Sequence, residues 1–261
     1  MSLQLAPLAA DVPFPPSVEE SFFPPGIGGS LWVTKFTIMV WIAVAAIILF
    51  FVLSQRNAKI VPGKAQWLGE SIYGFVRNGI AKEVIGHEGL RFAPYLTTLF
   101  VFISFVNLFA IIPGFQISPS SHIAFPIVLA ILSYLLYWYQ GAKKHGFWNF
   151  IKTSSVLPAP WWVQPILFPI ELAQILIIRP VTLAVRLFAN LFAGHLILLV
   201  FTLGGFALMA AGNIALAAVG VISWGMAIVM TLFEAGVALL QAYVFVLLSA
   251  SYVQSSLADE H

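Results

Sequence analysis

Arg186 lies in the run RPVTLAVRLFANLFAGH (residues 179–195), with apolar, helix-compatible sequence on both sides. A guanidinium keeps its proton in any protein environment and costs several kcal/mol at bilayer depth, so a residue of this type in such a run points to electrostatic work. His195 and Glu234 supply an imidazole and a carboxyl, the side chains best suited to passing protons. Gln241, Asn190, Arg179, Glu171 and Tyr252 are further polar groups in the same two apolar stretches, 165–203 and 214–253.

If the two stretches are antiparallel helices, facing residue numbers add to a nearly constant value. The sums for Arg186 with Gln241 and for His195 with Glu234 differ by only two, so both pairs lie at matched depths. About 13 Å of helix rise separates the two levels. Glu171 falls at a third level, near Ser255 and Ser256. At about 100° per residue, Glu171, Arg179, Arg186 and Asn190 share one side within about 100°, and His195 points to the opposite side. Glu234, Gln241 and Tyr252 form one stripe within about 40°. A permanent cation on one face and titratable groups on another suit a protein that carries protons up to a charge barrier without letting them cross it.

Residue type alone also admits plainer roles. Arg186 suits a paired guanidinium bridging helices, His195 a hydrogen-bonded packing imidazole, and Glu171 a hydrated carboxylate beside the interfacial WWVQP. Asn107 and Gln241 are of the type that bonds helix to helix, Asn190 could merely orient Arg186, and Gly194 and Gly236 suit close packing.

The elements that must hold these groups are membrane helices. Hydrophobic residues make up 61% of the chain and charged residues 8%, with 23 Phe and 8 Trp, far from soluble composition. There is no cysteine, hence no disulfide or thiolate metal site, and neither a metal nor a cofactor is expected. No GxxxxGK[ST] loop occurs, so nucleotide binding is not expected here, and no nucleic-acid partner is expected.

The fold expected is all-α and membrane-integral: five transmembrane helices plus a cytoplasmic-surface amphipathic helix, the last two helices forming a long, strongly tilted antiparallel hairpin. Residues 1–30 read as an extracytoplasmic N-terminal segment without the features of a cleaved signal peptide. Residues 31–53 make a first span, 54–92 a cytoplasmic amphipathic segment, 93–141 a transmembrane hairpin and 142–162 a cytoplasmic loop. Residues 163–254 form the tilted hairpin and 255–261 a cytoplasmic tail. Stretches of about forty residues would make helices of about 60 Å, twice the hydrocarbon thickness, so tilting or bending is required, with Pro165, Pro169 and Pro180 as places to kink. Nine of the twelve Lys and Arg residues lie in 54–92 and 142–162. The excess of positive charge puts those connections and the C-terminus in the cytoplasm and the N-terminus outside.

At these residues the chain resembles subunit a of the F-type ATP synthases. The resemblance runs from PYLTTLFVFISFVNLFAIIPGF (94–115) through the arginine run to FEAGVALLQAYVFVLLSASYV (233–253). It implies that Arg186 is the family's essential arginine, facing the carboxylate of a rotating ring of c subunits, with Gln241 and Asn190 as its neighbours. It implies an outer proton half-channel at His195 and Glu234, a pair that some relatives carry with the side chains exchanged, and an inner half-channel at Glu171 and Tyr252. Further implied partners are b-type peripheral stalk subunits, lipid and protons. The chain is not expected to be an enzyme on its own. One departure stands out: Glu171 precedes Pro180 by nine residues, where the resemblance implies eight, a difference that a local helical bulge would absorb. The alternative is a self-contained proton-coupled secondary transporter or channel, which requires internal repeats that this sequence does not display. A bacterial plasma membrane is the expected location and an energy-converting organelle membrane the alternative.

Overall fold

The computed structural model describes residues 34–56, 58–112, 117–150 and 163–257. The segment expected over 1–30, most of the loop expected over 142–162 and the end of the tail expected over 255–261 lie outside the described residues. Helices dominate in chain order: α1 (Lys35–Gln55), α2 (Lys64–Val76), α3 (Ala93–Leu108), α4 (Ala124–His145), α5 (Gln164–Ala173), α6 (Arg179–Ala210) and α7 (Ile214–Leu257). No strand occurs among the described residues. Five helical stretches are long and apolar enough to cross a membrane: Lys35–Gln55, His87–Leu108, Ala124–His145, Gln164–Ala210 and Ile214–Leu257. Backbone groups bonded within their own helix are what hydrocarbon demands.

Local sequence sets the breaks. Gly146, with φ 80°, ends α4, and Gly212, with φ 70°, stands between α6 and α7, a left-handed conformation that glycine adopts without strain. Asn213 then opens α7, its Oδ1 accepting from the Ala215 amide at 2.9 Å. The stretches expected at about forty residues are longer: 47 residues over Gln164–Ala210 and 44 over Ile214–Leu257.

Two regions depart from simple α-helix. The segment expected to be amphipathic over 54–92 contains α2, a π-helical stretch at Arg77–Ile85 and a 3-10 turn at His87–Phe92. The second departure is a π-helical stretch at Gln174–Ile178, between α5 and α6. Pro180 has no amide hydrogen to donate, and in a continuous α-helix its ring would press on the Leu176 carbonyl, so a wider turn directly before it relieves that conflict. Wider turns also rotate less per residue. The angles counted at 100° per residue from Glu171 to Arg179 therefore do not carry across this stretch.

The chain divides into two compact units. Of the described residues, the first contains 34–42, 106–112, 117–122 and 189–239, and the second contains 43–105, 123–150, 163–188 and 240–257. In the first unit α6 and α7 pair antiparallel. Ser223 Oγ donates to the Phe201 carbonyl at 2.8 Å, and the Phe206 and Trp224 rings meet edge-on at 4.7 Å between centroids. Glycines make this approach possible: a Cβ at Gly220 would stand 2.7 Å from Met209 Cγ and 2.8 Å from the Gly205 carbonyl oxygen. Apolar surface gives no driving force between helices in lipid, so such small-residue contact is the usual means of association.

The second unit is held by a hydrophobic core of Tyr137, Phe150 and Ile175, with the aromatic side chains of Tyr134, Trp138 and Tyr252 packed around it. Gly141 leaves room for the Phe150 ring. Where α1 gives way to α2, Ser54 Oγ donates to the Ala65 carbonyl at 2.8 Å and Gln66 exchanges two hydrogen bonds with the Lys59 backbone at 3.0 and 3.1 Å.

Gly220→Ala is expected to destabilise the chain by about 1–3 kcal/mol through overpacking. Gly225→Ala, where a Cβ meets nothing within 4 Å, is expected to be neutral or stabilising by up to about 1 kcal/mol. Reversible denaturant unfolding of the detergent-solubilised chain measures both.

Candidate functional site

In the first unit α6 carries His195 and α7 carries Glu234, and both are buried, with relative exposures of 3% and 4%. Gly194 explains how a carboxyl fits between packed helices: a Cβ there would stand 3.2 Å from Glu234 Oε1. One turn along α7, the Ala238 carbonyl accepts a hydrogen bond from Asn107 Nδ2 at 3.2 Å. Asn107, at the end of α3, thereby fixes that helix against α7 next to the carboxyl. Both Glu234 oxygens are buried with no hydrogen-bond partner among the described residues. Burying a carboxyl this way costs free energy that packing does not return, which marks a functional group in a membrane helix.

The same unit contains a buried serine turn missed by sequence reasoning: Ser118 Oγ donates to the Val106 carbonyl at 3.0 Å, and Ser121 Oγ donates to the Ser118 carbonyl at 2.6 Å. The run SPSSH was the available signal.

The second unit contains Arg186, Gln241, Glu171, Tyr252 and Arg179. Arg186 is exposed on α6, whereas Gln241 on α7 is buried. Asn190, four residues further along α6, is exposed too. Apart from Thr182, the exposed positions around them are apolar: Val181, Val185, Ala189, Ala193 and Ile197. Among the described residues, the one ion pair within 4 Å is Arg91 with Glu88, so no described carboxylate pairs with Arg186. The arginine therefore does not bridge helices within the described chain through an ion pair. Arg179 is half-buried, with its guanidinium carbon 5.7 Å from the centroid of the Tyr252 ring, a cation–π arrangement. Glu171 is half-buried on α5, on the far side of the π-helical stretch from Pro180. No group of three or more His, Asp or Glu side chains able to hold a metal ion occurs among the described residues.

Residues 37–254 match the family model of the ATP synthase A chain. The chain belongs to that family. ATP synthase subunit a of Nocardioides sp. is 38% identical over 263 aligned residues, covering 95% of this chain and 95% of the relative. The subunit a of Frankia alni is 40% identical, covering 100% of this chain and 92% of its own, and that of Pseudarthrobacter chlorophenolicus is 39% identical, covering 95% and 94%. With bacterial relatives and five apolar spans, this member of the ATP synthase A chain family is a multi-pass protein of the bacterial membrane.

Gly194→Ala, which sets a methyl group against the Glu234 carboxyl, is expected to lower ATP-driven proton pumping by about tenfold, a barrier change of about 1.4 kcal/mol. Dye-quench measurements on inverted membrane vesicles, normalised to assembled complex, read the effect.

Proposed function

We propose that the chain is subunit a of an F-type ATP synthase, the membrane stator in which two offset proton half-channels meet a rotating ring of c subunits. The observation that carries this reading is Arg186: a permanent cation exposed on an apolar face of a membrane-spanning helix, with no described carboxylate paired to it. Such a charge calls for a counter-charge from outside the chain. Ala189 and Ala193 on the same exposed face would let a neighbouring helix come close. Family membership supports the same conclusion.

Protons enter by the outer half-channel at His195 and Glu234 and neutralise a ring carboxylate, which then travels through lipid. They leave by the inner half-channel at Glu171 and Tyr252. Arg186 keeps the two paths from short-circuiting: it has no proton to give up, and it favours the deprotonated ring carboxylate as that group passes. Two unit charges about 4 Å apart attract by about 4 kcal/mol at an effective dielectric of about 20, before desolvation is subtracted, enough to bias the passing group and still release it. The transmembrane potential supplies about 2.3 kcal/mol per charge per 100 mV. Gln241 and Asn190 shape the surroundings of Arg186. The π-helical stretch at Gln174–Ile178 supports the inner assignment, because a bulge of this kind absorbs the additional residue between Glu171 and Pro180. The N-terminus lies outside, the C-terminus is cytoplasmic, and nucleotide chemistry belongs to other subunits of the complex, among them those joined to this one through a b-type peripheral stalk.

Arg186→Ala is expected to reduce proton-driven ATP synthesis in membrane vesicles to background while the complex still assembles. Retention of coupled synthesis by that variant would rule the reading out. His195→Glu combined with Glu234→His is expected to retain more synthesis than the product of the two single-variant activities, as required of two residues serving one proton site.

A further inference from the structure

We propose that a basic cleft in the second unit binds the phosphodiester headgroup of an anionic phospholipid. The cleft, about 270 Å³ in volume, is lined by Glu88, Arg91, Gln140, Lys143, Lys144 and Leu257. Three cations face one carboxylate there, and that carboxylate is already engaged by Arg91, with 3.8 Å between Glu88 Oε2 and the guanidinium. Lys144 Nζ donates to the Leu257 carbonyl at the end of α7, which holds the ammonium at the mouth of the cleft. The remaining positive charge suits a single phosphodiester.

The position of the cleft selects a lipid over a soluble anion. Its lining residues come from the beginning of the span His87–Leu108 and the ends of the spans Ala124–His145 and Ile214–Leu257, so it lies where hydrocarbon gives way to headgroups. Val128, Leu132, Leu135 and Tyr139 are exposed on α4 at intervals of three and four residues and lead to Lys143 on the same helix face. An acyl chain laid along that stripe brings its headgroup to the cations. Beyond Gly146, whose φ of 80° turns the chain, Phe147 and Trp148 are exposed as well, the aromatic pattern of a membrane interface. Basic pockets at span ends beside an anionic leaflet are the usual sites of headgroup recognition. The site is distinct from the residues assigned to proton transfer and does not depend on them.

The test is native mass spectrometry of the full chain purified in neutral detergent. It is supplied in separate arms with phosphatidylglycerol, with phosphatidylcholine of the same acyl chains, and with phosphatidylglycerol plus inorganic phosphate. One phosphatidylglycerol per chain is expected to be retained in preference to phosphatidylcholine, and matched inorganic phosphate is not expected to displace it. Arg91→Gln combined with Lys143→Gln is expected to lower retention by about tenfold. If the double variant fails to fold, Lys143→Gln alone, which alters an exposed side chain, is expected to lower it by about threefold. Equal retention of the two lipids, displacement by inorganic phosphate, or unchanged retention in the folded variant would overturn the proposal.

Discussion

A guanidinium that cannot be neutralised, set on a helix face made mostly of Val, Ala and Ile, is the constraint on which the rest of the structure turns. In water such a side chain would cost nothing to expose. On a span that crosses a membrane it needs hydration or a counter-charge, and the described chain pairs no carboxylate with it. The backbone of α6 cannot answer the need, since a continuous helix spends its carbonyls on its own amides. The small residues beside Arg186 become meaningful in that light: Ala189 and Ala193 keep the exposed face low, so a partner can bring its own charge close.

The first unit treats polarity in the opposite way. His195 and Glu234 are enclosed, and the enclosure is built from absences of bulk: Gly194 yields space to the carboxyl, and Asn107 ties α3 to α7 one turn away. A cation shown to the outside and a carboxyl and imidazole kept inside are two solutions to one problem, that of maintaining polar groups in a low dielectric. The first exports the cost to an interface. The second accepts it locally, inside the packing of α6 and α7.

Much of this was legible in the sequence because the bilayer simplifies the physics. Apolar runs long enough to cross hydrocarbon located the five spans. The nearly constant sum of facing numbers predicted an antiparallel register that contacts such as Ser223 with Phe201 and Gly194 with Glu234 reproduce. The opposite faces assigned to Arg186 and His195 correspond to their opposite burial, because α6 is a regular helix between them. Regular periodicity is also where the reading stops. The stretch at 174–178 breaks the angular count from Glu171 to Arg179, since hydrophobic spacing carries no direct mark of a π-turn. The placement of Tyr252 beneath Arg179, and the burial of Ser118 and Ser121, depend on contacts between residues far apart in the chain, which no local pattern encodes.

The crossing at Gly205 and Gly220 bears on how the hairpin assembles. Two long apolar helices could slide past one another in lipid at little cost, for one greasy contact is much like the next. Where two glycines meet and Trp224 and Met209 close in on either side, sliding by a residue would drive an indole or a thioether into backbone. That contact works as a detent: during insertion it stops α6 and α7 at one alignment. The register of the two helices at this crossing is then set without any polar attraction to align them.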